Sequence, residues 1–136
     1  MRFHGRSIVR GYAEGRILLS VEPISFYGGV DPETGVVTEP GHCVEGESVR
    51  DRILIFPRGK GSTVGSYVIY RMKKIGVAPS AILNSETDMI TATGCVMAGI
   101  PLMDRFEESF FKALKSGCFA KLDAGEGWVE LFSSLS

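Results

Sequence analysis

The feature that most constrains this chain is a glycine- and serine-rich segment at residues 57–66, which reads Pro-Arg-Gly-Lys-Gly-Ser-Thr-Val-Gly-Ser. It follows an apolar run at residues 53–56 and precedes apolar residues at helical spacing, so the pattern predicts a strand, a loop and a helix. Gly59, Gly61 and Gly65 permit sharp bends and leave backbone amides exposed. Unpaired amides and the positive end of the helix dipole then point the same way, which favours an anion site.

Three interpretations of this loop compete. A phosphate-binding P-loop needs a glycine five residues before Gly59 and a serine or threonine after Lys60, but Leu54 and Gly61 occupy those positions, which excludes it. A structural interpretation is a turn with a serine helix cap. The functional interpretation is a catalytic serine that acts as a general base or binds a substrate oxygen. The loop alone leaves the last two open.

Composition and charge exclude several functional classes. The chain has 136 residues, which is enough for one domain with a real core. A net charge of -1 with mixed signs gives no basic footprint for nucleic acid. We find no signal-peptide pattern and no apolar run of membrane-spanning length, so we expect a soluble, cytoplasmic protein.

The three cysteines favour neither a disulfide framework nor a metal site. Cys43, Cys95 and Cys118 are far apart in sequence and odd in number. Cys95 and Cys118 have apolar neighbours, which is typical of buried, inert thiols. Cys43 follows His42, but no second His-Cys pair accompanies them, so we expect this chain to bind no metal.

The remaining patterns predict an α/β fold in a single domain spanning residues 1–136, with a mixed sheet and packed helices. A helix after the loop should bury the stripe Val64, Val68, Met72 and Ile75 and end at Gly76. Strands are expected at residues 7–10, 15–19, 48–56, 78–83 and 99–103, with a final hairpin of residues 118–122 and 128–132.

Two further helices are expected in the second half of the chain. One should run from about Asp88 to Ala98, and we interpret Glu86 and Asp88 as helix-capping residues before any catalytic role. The other should begin at a capping box formed by Asp104 and Glu107. Residues 133–136 are expected to fray.

A second unusual stretch lies at residues 23–37, where Gly-Gly and Asp-Pro-Glu-Thr-Gly are strong turn signals. The simpler interpretation is a structural surface loop in which Asp31 caps a turn. The alternative is a wall against a ligand or partner, formed by Phe26, Tyr27 and the two glycines that follow.

Three ordered motifs together resemble the small, swivel-domain subunits of the aconitase X family, over nearly the whole chain. They are residues 23–35, the loop at 57–66, and Ala-Pro-Ser-Ala-Ile at 78–82. The resemblance implies a swivelling β/β/α domain that forms a heterodimer with a separate large subunit. That large subunit would hold a 4Fe-4S cluster through its own cysteines.

The resemblance also implies a reaction and a site. The reaction would be dehydration of (R)-mevalonate 5-phosphate to trans-anhydromevalonate 5-phosphate, in an archaeal route to isoprenoids. By the family pattern, Ser62 would be the base that takes the proton from carbon, with Ser66 as the fallback candidate. The alkoxide of Ser62 would be stabilised by the loop amides and by the cations Arg58 and Lys60. The substrate would contact Arg58, Lys60, Gly61 and Ser66.

Other functions stay open at the level of sequence. The family also includes hydroxyproline dehydratases, so another hydroxy acid is possible as substrate. A phosphocarrier would need a histidine on its loop, whereas His4 and His42 lie elsewhere in sequence. A scaffold subunit that only closes its partner's site would tolerate Ser62→Ala. We expect the isolated chain to fold but to be inactive, with residues 26–30 and the serine loop facing the partner.

Overall fold

The computed structural model describes residues 1–133, so the last three residues of the expected frayed tail lie outside the described part. The longest helix has 11 residues, and no helix among the described residues is long and apolar enough to cross a membrane. The elements are β1 (Arg2–His4), β2 (Arg6–Val9), β3 (Tyr12–Leu19), α1 (Phe26–Gly29), β4 (Ile53–Phe56), α2 (Gly65–Ile75), β5 (Ala81–Asn84), α3 (Met89–Ala98), β6 (Leu102–Asp104), α4 (Glu108–Ala113), β7 (Phe119–Asp123) and β8 (Trp128–Phe132).

All eight strands form one mixed sheet in the order β1-β8-β7-β3-β4-β5-β6-β2. The central strands β3, β4, β5 and β6 are parallel, while the outer pairings are antiparallel. The predicted α/β fold with a mixed sheet and the predicted final hairpin are therefore confirmed. Because the parallel strands end at one edge, the loops after β4 and β5 lie side by side, and Ser85 N–H donates to the carbonyl of Pro57 across 3.1 Å.

The sheet is buried on both faces, which explains the uninterrupted apolar run of β4. Leu54 and Phe56 belong to a core beneath α2 and α3, whereas Ile53 and Ile55 belong to a second core that contains Phe110 of α4. Successive side chains of a strand point to opposite faces, so every residue of β4 must be apolar. Only Ile53–Phe56 of the longer segment predicted as a strand, residues 48–56, adopts strand geometry.

The buried face of α2 differs from the predicted stripe. Val68 and Met72 are buried, but Val64 and Ile75 are each 44% exposed. Ile69 lies at the centre of the buried face instead, because α2 packs on α3 as well as on the sheet. Gly94 of α3 permits this approach, since a Cβ there would lie 2.7 Å from Cδ1 of Ile69.

The capping box predicted at Asp104 and Glu107 is wrong. Asp104 ends β6 and is fully buried, and its carboxylate accepts hydrogen bonds from Arg6 and from the amide of Thr87. The N-cap of α4 is Glu107, which makes no capping bond with its side chain. Antiparallel pairing of β2 with β6 brings Arg6 opposite Asp104, and no local sequence pattern encodes that contact.

Candidate active site

The glycine and serine loop lies where the sequence predicts it, between the buried strand β4 and helix α2. Its first half pairs with the backbone of Ile24, which accepts from Lys60 N–H at 3.0 Å and donates to the carbonyl of Arg58 at 3.2 Å. Gly59 N–H donates to Oδ1 of Asp88 at 2.6 Å. The loop is therefore held on two sides before the chain reaches Ser62.

Ser62 is exposed at the outer end of this loop, with its carbonyl and its hydroxyl both engaged by the backbone that follows. Val64 N–H donates to Ser62 Oγ at 3.1 Å, and Gly65 N–H donates to the Ser62 carbonyl at 3.0 Å. The hydroxyl proton stays free to point into solvent. A fixed amide donor to an accessible oxygen favours negative charge on that oxygen.

Of the three glycine amides that the sequence left exposed, only that of Gly61 is open, because Gly59 N–H donates to Asp88 and Gly65 N–H donates to the carbonyl of Ser62. The amides of residues 65–67 donate to the carbonyls of residues 62–64 at 3.0, 3.2 and 2.9 Å, so the first turn of α2 is closed on itself. Over the described residues, the amides of Gly61, Ser62 and Thr63 have no hydrogen-bond acceptor. The open donors therefore surround the Ser62 backbone.

Ser66 occupies a different environment from Ser62. It is 5% exposed, and its Oγ donates to the carbonyl oxygen of Ile90 at 2.8 Å. That bond joins α2 to the first turn of α3. The sequence offered Ser66 as the fallback base, as a substrate contact or as a structural residue, and the geometry favours the structural role.

The two cations of the loop are both exposed, but only one is paired. Lys60 Nζ lies 3.0 Å from Oε2 of Glu39. The guanidinium of Arg58 has no hydrogen-bond or salt-bridge partner among residues 1–133. Because an exposed ion pair contributes only about 0–1 kcal/mol, an incoming anion can compete with Glu39 for Lys60.

The second unusual stretch, residues 23–37, contacts the loop. Phe26 is buried and packs edge-to-face against Phe56 with ring centroids 5.7 Å apart, so it belongs to the core. Tyr27 is 57% exposed. An open cleft of about 370 Å³ separates this stretch from the loop, and it is lined by Ser25, Tyr27, Gly28, Gly29, Glu39, Lys60 and Gly61.

Sequence reasoning missed two residues at this site, Ser25 and Glu39, and one contact of a third, Asp88. Ser25 lies against Gly61, where an added Cβ would be 2.7 Å from Ser25 Oγ, and Glu39 pairs with Lys60. Asp88 caps α3 as predicted, but it also binds the loop. Only the turn signals of residues 23–37 pointed to this region, because long-range contacts leave no local pattern.

The cysteines do not come together to hold an iron-sulfur cluster. Cys95 is buried in the core beneath α2 and α3, and Cys118 packs against the core on the other face of the sheet. Cys43 is exposed. Burial raises the pKa of the Cys95 thiol to about 12, which disfavours the thiolate that metals require.

The described part of the chain contains one cluster of three side chains that could hold a metal ion. Its members are Glu22, His42 and Cys43, whose ligand atoms all lie within 4.8 Å of one another. Both ring nitrogens of the His42 imidazole already have hydrogen-bond partners. Its Nδ1 accepts from Val44 N–H at 3.2 Å, so Nε2 carries the proton and donates to the carbonyl of Pro23 at 2.9 Å. A neutral ring bonded at both nitrogens has no lone pair left for a metal.

A comparison with protein families matches residues 2–131 to the aconitase X swivel domain. The chain belongs to the aconitase X swivel domain family. Its relatives include proteins named "Phosphomevalonate dehydratase small subunit". The one from Methanococcoides burtonii is 52% identical and the alignment covers 93% of this chain and 92% of the relative. The one from Archaeoglobus fulgidus is 53% identical, and the alignment covers 96% of this chain and 98% of the relative.

Solved structures agree with the family assignment. The holo-form of Thermococcus kodakaraensis aconitase X matches with a TM-score of 0.91 at 48% identity, covering 98% of this chain and 99% of that one. The swivel-domain fold implied by the sequence resemblance is thus confirmed. Within the aconitase X family, the description of the relatives as small subunits also indicates a larger partner subunit.

Proposed function

We propose that this chain is the small subunit of a phosphomevalonate dehydratase, a heteromeric hydro-lyase that converts (R)-mevalonate 5-phosphate to trans-anhydromevalonate 5-phosphate. The observation that carries the proposal is the nearly full-length similarity, at 52% and 53% identity, to proteins with that name. The exposed serine loop supports it, because dehydration beside a carboxylate needs a base for a carbon-bound proton.

The reaction breaks the C–H bond at carbon 2 and the C–O bond at carbon 3, and it forms a carbon–carbon double bond and an O–H bond of the released water. The base takes a proton from carbon 2, next to the carboxylate, and the electron pair of that C–H bond becomes the second bond between carbons 2 and 3. Hydroxide leaves carbon 3, and the removed proton and the hydroxide together account for the water. This chain's contribution is the proton transfer and the fixing of the substrate's anionic groups.

We assign the base to Ser62. A free serine hydroxyl is far too weakly acidic to ionise at neutral pH, so its alkoxide needs fixed donors. Val64 N–H already donates to Ser62 Oγ at 3.1 Å, and Arg58 and Lys60 add positive charge in the same loop. Each of these interactions is stronger with an alkoxide than with a neutral hydroxyl, which is the condition for lowering the barrier.

We assign Arg58, Lys60 and the Gly61 amide to substrate binding. Arg58 and the Gly61 amide have no partner among residues 1–133, and Lys60 is held only by an exposed salt bridge. Carboxylate and phosphate groups suit such donors. The cleft beside Lys60 offers room for part of a small phosphorylated acid.

The larger subunit would cover the face that carries Ser62. Exposed apolar side chains surround the loop there, with Tyr27 57%, Tyr67 67% and Met89 80% exposed. Tyr67 and Met89 also line a small groove of about 200 Å³ between α2 and α3, together with Thr63 of the loop. We place the 4Fe-4S cluster in that larger subunit, where it would supply Lewis-acid chemistry.

The deciding experiment measures turnover of (R)-mevalonate 5-phosphate by this chain with its larger subunit, under anaerobic conditions. Ser62→Ala should lower kcat by about a hundredfold or more while the complex still forms on gel filtration. Ser109→Ala makes the same chemical change at an exposed serine of α4 and should leave turnover unchanged. The isolated chain should be inactive.

Other outcomes would contradict separate parts of the proposal. Full turnover in Ser62→Ala would make this chain a scaffold that closes its partner's site. Dehydration of cis-3-hydroxy-L-proline by the wild-type complex, with none of mevalonate 5-phosphate, would keep the reaction class and overturn the substrate.

A further inference from the structure

Asp88 connects two parts of the site with one side chain. Its Oδ2 accepts from Thr91 N–H at 3.0 Å, which caps the N-terminus of α3. Its Oδ1 accepts from Gly59 N–H at 2.6 Å, across 29 residues of sequence. A helix cap requires only the first of these bonds, so the second bond is an additional feature of this site.

Gly59 is shaped to receive this carboxylate. A Cβ at position 59 would lie 2.8 Å from Asp88 Oδ2 and 2.7 Å from Oγ1 of Thr91. The φ angle of Gly59 is not in the left-handed region, so the backbone does not require glycine there. Glycine is therefore needed for space, because the loop backbone lies directly against the first turn of α3.

The position of Gly59 constrains that of Ser62. Two residues, Lys60 and Gly61, separate them, and the Lys60 amide is fixed by its hydrogen bond to the carbonyl of Ile24. The chain then turns at Gly61, whose φ is +86°. A shift of the Gly59 amide would thus pass through one short turn to Ser62.

We propose that Asp88 is a positioning residue for the dehydration, holding the loop so that Ser62 and the open amides beside it meet the substrate. This inference rests on the assignment of Ser62 as the base. The amides of Gly59 and Thr91 and the positive end of the α3 dipole offset the negative charge of Asp88. Asp88 therefore acts through backbone geometry and does not touch the reacting atoms.

Substitutions at Asp88 can separate the loop bond from the helix cap. Asparagine and serine are both good N-caps, but each offers one acceptor oxygen where the carboxylate offers two. Asp88→Asn and Asp88→Ser should keep the cap on Thr91 and lose the bond to Gly59. In the reconstituted complex we expect kcat to fall by about tenfold or more.

A control variant weakens α3 without touching the loop. Gly99 ends α3 with φ +70° and open space around it, so Gly99→Ala strains the far end of the same helix. It should lower the melting temperature at least as much as Asp88→Asn does, with kcat unchanged. If both variants lower kcat in proportion to their loss of stability, Asp88 is only a helix cap and the proposal is overturned.

A second readout needs neither partner nor substrate. In the isolated wild-type chain the Gly59 amide should be protected from hydrogen exchange, and in Asp88→Asn it should exchange about tenfold or more faster. The Thr91 amide is the internal reference and should stay protected. Unchanged Gly59 exchange would overturn the structural basis of the proposal, whether or not the complex turns over. Inactivity of the wild-type complex on mevalonate 5-phosphate, with faster Gly59 exchange in the variant, would overturn the proposed function alone.

Discussion

Ser66 Oγ donates to the carbonyl oxygen of Ile90 across 2.8 Å, so the second serine of the loop joins helices α2 and α3. Ser62, four residues earlier, is exposed and accepts from a backbone amide. Two serines that look alike in sequence thus have opposite surroundings. A buried serine whose proton is held by a carbonyl is not available as a base, whereas an exposed oxygen that receives an amide is.

Ser66→Ala should affect stability more than chemistry. It removes the hydrogen bond between the buried Ser66 hydroxyl and the Ile90 carbonyl, which costs about 1 kcal/mol of unfolding free energy. Urea denaturation measures this cost, and Ser62→Ala should cost less in the same assay. We expect kcat of the Ser66→Ala complex to stay within about threefold of wild type. A hundredfold loss of kcat with normal stability would instead identify Ser66 as a catalytic residue.

Gly61→Ala should lower turnover through the shape of the loop. The residue has φ +86°, which costs an L-residue about 1–2 kcal/mol, and the new Cβ would lie 2.7 Å from Ser25 Oγ. Relief by rotating Ser25 would break its 2.9 Å bond to the Tyr27 carbonyl. Gly117→Ala is the matched control, since its φ is +88° and its surroundings are open. Both variants should lose stability, Gly61→Ala somewhat more because of its contact with Ser25, and only Gly61→Ala should lose kcat.

The buried carboxylate of Asp104 should make stability depend on acid pH. Burial alone would raise the pKa of Asp104, but hydrogen bonds from Arg6 and from the Thr87 amide outweigh burial and hold this pKa below its ordinary value. A lowered folded-state pKa stabilises the protein above the ordinary carboxyl range, near about pH 4, and this contribution is lost as pH falls through the folded pKa.

Asp104→Asn tests this dependence by urea denaturation at several pH values. The variant should be less stable than wild type by about 2 kcal/mol at pH 7, since it loses a charge-assisted pair with Arg6. The difference should stay constant down to about pH 5 and shrink below about pH 4. A difference that grows on acidification would contradict the assigned direction of the pKa shift.

The exposed thiol of Cys43 and the buried thiol of Cys95 should react in an order set by their burial. Cys43 is exposed and should be alkylated first in the native chain at pH 8. Cys95 is buried and its pKa is raised to about 12, so it should react only when the chain is unfolded by denaturant. Mass spectrometry of timed iodoacetamide reactions distinguishes the two sites. Native alkylation of Cys95 at the rate of Cys43 would show that α2 and α3 separate readily.

Several elements could be predicted because their signals are local. The apolar run of β4, the Gly76 stop of α2 and the Asp88 cap of α3 all depend on neighbours within a few residues. The predicted buried stripe of α2 was correct for Val68 and Met72 but wrong for Val64 and Ile75, because packing against α3 turns the buried face toward Ile69. Periodicity gives the existence of a helix more reliably than the direction of its buried face.

Local propensity and motifs in fixed order were enough to predict the α/β class, the family and the position of the serine loop. The exposure of Ser62, the burial of Ser66 and the partners that hold the loop depend instead on tertiary packing. Ile24, Ser25 and Asp88 reach Gly59 and Gly61 from remote parts of the chain. Such contacts arise where parallel strands end at one edge of the sheet, and a linear pattern contains no record of which loops meet there.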